Sequence, residues 1–167
     1  MTSLDDQGND AAAVDQGPPA AVTGELETLL AFLGYLRGGV IKKVAGLTPG
    51  QLDHATVPSG TSLRWLIAHL TEVEMGWVHY AFADLPEPEL EEATTADALI
   101  RGYRKIAATT DAAARAANTM DDVGVHPFGS AGPWTLRWTL THLLEETARH
   151  TGHADIIREL IDGSTGR

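Results

Sequence analysis

Apolar residues recur at steps of three and four along four stretches of the chain, the period that places them on one face of an α-helix. From Gly24 to about Val44 they are Leu26, Leu29, Leu30, Phe32, Leu33, Leu36, Val40 and Ile41, with Glu25 and Glu27 early and Lys42 and Lys43 late, as the helix dipole favours. Thr61 or Ser62 can cap a second helix, which runs through Leu63, Leu66, Ile67, Leu70, Val73, Trp77 and Val78 to about Ala83. Thr94, with Asp97 three residues on, approximates a capping box for a third helix through Leu99, Ile100, Tyr103 and Ile106 to about Ala117. Its many alanines predict a place at the edge of the fold. The longest stretch, Trp134 to Asp162, carries Leu136, Leu140, Leu143, Leu144, Ile156, Ile157, Leu160 and Ile161.

The intervening segments are breakers. Thr48 and Pro49 open at most a short helix through Asp53, and a loop with Pro58, Ser59 and Gly60 follows. Pro86 and Pro88 stop the second long helix, and the glycines and prolines between Asp121 and Pro133 make an irregular connection. Four long helices and no convincing strand predict an all-α four-helix bundle. Residues 1–21, rich in Asp, Gly, Ala and Pro and without an apolar period, are expected to be a disordered leader, and 22–167 a single helical domain.

Composition narrows the function. A chain of 167 residues with 43% hydrophobic content can bury one core. With no cysteine there is no disulfide, thiolate ligand or cysteine nucleophile, so any thiol chemistry needs a thiol brought in as a ligand. A net charge of -11 argues against nucleic acid, whose sites need a basic footprint. No window approaches the roughly 20 apolar residues of a membrane span. The N-terminus, acidic at Asp5, Asp6 and Asp10, does not resemble a signal peptide, so a cytoplasmic location is expected.

The last helix carries the candidate chemistry. His142, Glu146, His150 and His153 follow the same three- and four-residue steps and share one stripe. Imidazoles and a carboxylate stacked at a core edge are either solvated or bound to something, and a divalent metal accepts both ligand types. An internal echo accompanies the stripe: Leu63-Arg64-Trp65 and His69-Leu70 recur as Leu136-Arg137-Trp138 and His142-Leu143 at a constant offset of 73, with Glu72 answered by Glu145. It points to a bundle made of two related helix pairs.

At these residues the chain resembles the DinB-like superfamily of metal-binding four-helix bundles, which includes mycothiol-dependent maleylpyruvate isomerases and bacillithiol transferases. The resemblance implies one histidine ligand late in the second helix and two ligands spaced four apart on the last. His69 in SLRWLIAHLTEVE matches the first, and Glu146-Thr-Ala-Arg-His150 matches the Glu-x-x-x-His form of the mycothiol-dependent branch. His153 stands where many relatives have Gln or another polar residue, as a hydrogen-bonding neighbour of the ligands or a replacement for one. The chain ends soon after Ile161 without the large C-terminal domain of the isomerases, so a compact single-domain member is expected.

Two neutral imidazoles and a carboxylate around zinc leave a fourth position open, the arrangement of a catalytic site, and nickel or iron would accept the same set. A thiol or water bound there would lose its proton near neutral pH. The Glu-x-x-His pairs of di-iron bundles and the His-Glu-x-x-His signature of zinc proteases are missing. His142, about two turns before His150, is expected to be structural, and His54, His79 and His126 to lie on the surface or in loops. Trp65, Trp77, Trp134 and Trp138 are expected to pack, with Trp134 placed to line a pocket, and Glu145 with Arg149 to form a surface pair.

The function expected is a metal-dependent enzyme that transfers or rearranges a small-molecule substrate with a low-molecular-weight thiol of the mycothiol type. The alternatives are a non-catalytic metal- or ligand-binding stress protein and a metal-dependent hydrolase. A compact bundle of this kind can pair through helix faces into a homodimer.

Overall fold

The computed structural model describes residues 17–20, 24–129 and 132–166. Helix α1 spans Glu25–Val44, α2 Pro49–Asp53, α3 Leu63–Glu74, α4 Ala96–Ala116 and α5 Leu136–Asp162. α3 runs without a break into a π-helical segment, Met75–Phe82, so four long helical rods form the predicted bundle. The described residues hold no strand, and an isolated antiparallel bridge joins Val123 with Thr135. The leader expected over 1–21 lies outside the described residues except for 17–20, which carry no helix.

Side-chain caps set the helix starts. Ser62 accepts from the Trp65 backbone N–H and Thr135 from that of Trp138, so the echo at offset 73 extends to the caps themselves. α5 therefore begins at Leu136 and not at Trp134. Thr48 and Gln51 close a reciprocal capping box at α2. The cap of α4 is Thr95, one residue beyond the expected Thr94, because the Thr95 hydroxyl reaches the Ala98 N–H and leaves Asp97 in the first turn. α5 stops at Gly163, whose φ of 78° is a left-handed conformation that glycine adopts without strain.

The second rod departs from α geometry where the irregular connection docks on it. The Ala83 N–H bonds to Val78 O, five residues back, and Ala81 O accepts from the His126 N–H. Gly76 lets the Phe128 ring lie against the rod, since a Cβ there would stand 2.4 Å from its Cζ.

α1 packs chiefly on α5 and α3 on α4, and the α3–α5 seam closes the bundle. One apolar cluster gathers Val40, Val44, Leu63, Ile67, Leu70 and Ile157, and another Leu30, Leu33, Val78, Leu136, Leu140 and Leu143. Between the two, Arg37 and Glu74 are buried in a bidentate pair at 2.8 and 2.6 Å, and Arg37 also donates to Asp111 at 2.8 Å. Burial pushes the Glu74 carboxyl up while the guanidinium pulls it down, and both its oxygens accept, which suits the ionised form. Tyr103, fully buried, turns its hydroxyl toward Glu74 and Thr147. Tyr103, Ile106, Thr110 and Ala114 all lie inside, so α4 is a full member of the core despite its alanines. Small side chains let a helix approach its neighbours closely rather than exclude it from them.

Candidate metal centre

The α3–α5 seam brings together three residues that are far apart in sequence. α3 presents His69, and α5, running antiparallel beside it, presents Glu146 and His150 one turn apart. Glu146 Oε2 lies 3.5 Å from His69 Nε2 and 3.3 Å from His150 Nε2, and one donor atom from each of the three falls within 4.8 Å of the others. The two rings meet edge to face at 4.9 Å. These separations exceed a normal N–H···O bond to a carboxylate. Ligand atoms about 2.1 Å from a shared tetrahedral ion stand about 3.4 Å from one another, so the spacing and the donor types both fit a divalent metal.

The neighbours orient the set. Glu146 Oε1 accepts from Arg149 at 2.9 Å, which leaves Oε2 for the imidazoles. His153 Nδ1 lies 3.3 Å from His150 Nδ1, so one ring donates to the other and His150 Nε2 is turned toward Glu146. Burial, with His69 and His153 adding to it and Glu146 opposing it, holds the His150 ring below the ordinary imidazole range. That keeps the ring neutral at physiological pH, the form that can ligate. Trp65 stacks flat on His69, with ring centroids 4.8 Å apart and planes 5° apart, and meets His150 edge-on at 6.0 Å.

His142 does not join this cluster. Its ring sits between Trp138, stacked at 5.1 Å, and Trp77, edge-on at 4.8 Å, with Nδ1 3.7 Å from Glu145 Oε2. His142, Glu145 and Glu146 form a second group of potential ligand atoms, but the Arg149 guanidinium bonds both of those carboxylates. His126 and His54 lie in loops, and His126 pairs with Asp84 at 2.7 Å. His79 overturns the expected surface placement: it is buried, its Nε2 stands 3.3 Å from Ile106 O, and burial lowers its pKa. Sequence reasoning also passed over Arg37 and Glu74, although each sits at a helical step from core residues, Leu33 and Val40 for one and Leu70 and Val78 for the other. Trp65, expected to pack, is half exposed on the rim of the donor cluster.

The sequence profile of the mycothiol-S-transferase family matches residues 28–163. The chain belongs to this family. Mycothiol-S-transferases are DinB-like proteins, so the superfamily resemblance carried by His69, Glu146 and His150 holds. Family membership makes this a mycothiol-related transferase, with a small thiol among its substrates. No protein of curated function matches the chain. In fold, the chain is similar to a conserved protein from Enterococcus faecalis known from its crystal structure, at 16% identity and a TM-score of 0.56, over 86% of this chain and 100% of that one. None of its described helices is long and apolar enough to cross a membrane.

Proposed function

We propose that the protein transfers the sulfur of a low-molecular-weight thiol to a small electrophile at a divalent metal held by His69, Glu146 and His150, with zinc as the first choice. The observation that carries this is the convergence of two imidazole nitrogens on one carboxylate oxygen at 3.3 and 3.5 Å, at a seam where His69 is partly exposed, in a member of a thiol-transferring family. A bound ion would supply Lewis acidity, lowering the pKa of a coordinated thiol so that sulfur is present as the nucleophile at neutral pH.

The remaining work falls to the chain. His150 is kept neutral by burial and oriented by His153, while Arg149 occupies the carboxylate oxygen that faces away from the imidazoles. Transfer forms a carbon–sulfur bond, the leaving group departs with its electron pair, and the thiol proton passes to solvent. Because the chain has no cysteine, every sulfur transferred comes from the bound thiol.

The test is elemental analysis of the purified protein together with mycothiol-dependent consumption of model electrophiles. About one equivalent of metal and a transfer rate abolished by chelation and restored by zinc are expected. Less than roughly a tenth of an equivalent after reconstitution removes the metal from the proposal. Ester hydrolysis without added thiol replaces the transferase with a hydrolase.

A further inference from the structure

Of the three donors at the α3–α5 seam, two are held by a polar neighbour that leaves the donor atom free. Arg149 donates to Glu146 Oε1, and the His153 ring meets His150 at Nδ1. His69 has no such neighbour. Its Nε2 stands 3.5 Å from the Glu146 carboxylate, and among the described residues no hydrogen bond reaches its Nδ1. A histidine that ligates a metal is ordinarily fixed by a hydrogen bond from its second nitrogen, so this ring lacks the usual orienting contact. What it has instead is an indole. Trp65, one turn earlier on α3, lies parallel to the His69 ring, with centroids 4.8 Å apart and planes 5° apart.

The same indole meets His150 edge-on at 6.0 Å and 80°, and the two imidazoles stand at 85° to each other. One side chain of α3 is thus in ring contact with a donor from each helix. An imidazole lone pair lies in the plane of its ring, so a neighbour that fixes the plane limits where the nitrogen can point. We infer that Trp65 is a positioning residue of the metal centre: its inner face holds the His69 ring plane in register with Glu146 and His150, in place of a hydrogen bond. The inference rests on the proposal that those three residues hold a divalent ion. A ring bound to a cation carries part of its charge, and an indole face attracts positive charge, so the stack is stronger with the ion than without it. This accounts for an indole kept 50% exposed on a helix that buries Leu63, Leu66, Ile67 and Leu70. The echo at offset 73 supplies an internal control. Trp138 stacks on His142 as Trp65 does on His69, but Trp77 also grips the His142 ring, which stands outside the cluster of His69, Glu146 and His150.

The test uses the full chain and reads metal affinity, by competition for zinc with a chromophoric chelator, alongside urea unfolding of the metal-free protein. Trp65→Leu should weaken zinc about 10- to 100-fold while the metal-free unfolding midpoint matches wild type, since a half-exposed helical position tolerates leucine. Trp65→Gln, equally without a ring, is measured beside it so that the result does not hang on one variant. Trp65→Phe keeps a ring face and should bind zinc within about threefold of wild type. Trp138→Leu should leave zinc affinity unchanged. Cobalt in place of zinc gives a second readout, because its visible d–d bands report ligand geometry; they should shift in Trp65→Leu and not in Trp138→Leu.

An affinity loss in the ringless variants that Trp65→Phe does not recover overturns the inference. So does a loss shared by Trp138→Leu, which would make it an effect of the aromatic surface at large, or one matched by a fall in metal-free stability large enough to account for it, which would make Trp65 a packing residue. Wild-type protein that binds no zinc sinks the metal centre and this inference with it. Zinc bound equally tightly by wild type and Trp65→Leu sinks this inference alone.

Discussion

Two places in the bundle set a carboxylate against nitrogen bases, and they do opposite things with it. In the belt between the apolar clusters, Glu74 meets the Arg37 guanidinium in a buried, bidentate pair, with Asp111 taking a further Arg37 N–H. A guanidinium always carries protons to donate, so those acceptors are answered by the protein itself. At the α3–α5 seam, Glu146 meets two imidazoles at longer range, and one of them is held neutral by burial. Nitrogen and oxygen atoms there gather within 4.8 Å of one another, and Arg149 and His153 contact them from the outside. The first arrangement is complete without a ligand. The second is the one we propose to hold a cation.

Breaking each side tests the difference. Glu74→Ala leaves a buried guanidinium short of its main partner and should cost about 3–5 kcal/mol in urea unfolding, with metal affinity unchanged in whatever fraction folds. A cost below about 1 kcal/mol would show that the belt is not the structural half of the comparison. His69→Ala and His150→Ala should do the reverse, abolishing zinc binding in calorimetry while the metal-free protein loses only about 1 kcal/mol. Glu146→Gln should behave like them. Full zinc retention by Glu146→Gln, with complete loss in His153→Gln, would make the ligand set His69, His150 and His153.

His153→Gln is expected to keep the ion with affinity weakened at most about 10- to 100-fold, since it acts on the orientation of His150. A smaller effect concerns pH. Burial lowers the pKa of His79 below the ordinary 6.5, so between those two values the unfolded chain binds the proton that the folded one refuses. Its contribution is therefore intact above about pH 6.5 and lost as pH falls from there toward the folded pKa. Unfolding midpoints of metal-free protein at pH 7 and pH 5.5 should show the fall, and His79→Gln should reduce it; an unchanged slope would assign the acid sensitivity to other groups. The smallest effect is expected from Glu145→Gln, whose exposed pair with Arg149 is worth a few tenths of a kcal/mol in thermal unfolding.

Much of this was legible before the fold. Four helical stretches, the caps at Thr48 and at Thr61 or Ser62, and the stripe of His142, Glu146, His150 and His153 follow from residue type and spacing, because helix periodicity and capping are local properties. Less legible was the π geometry of Met75–Phe82, which the apolar pattern shares with an ordinary helix and which goes with the docking of the 121–133 connection. The depth of α4 was hidden by its alanines for the same reason: small side chains signal little about what approaches them.

The amino-acid sequence by itself determined the helices, the absence of cysteine, the Trp-x-x-x-His repeat and the one-turn pairing of Glu146 with His150. Tertiary structure alone decided that His69 crosses to Glu146 while its counterpart His142 is clasped by tryptophans, and that Arg37 finds Glu74 rather than solvent. Equivalent local patterns met different neighbours. A three- or four-residue step places side chains on a common face, but what lies opposite that face depends on which helices pack together and at what register, and those are set by the burial of apolar surface over the whole bundle.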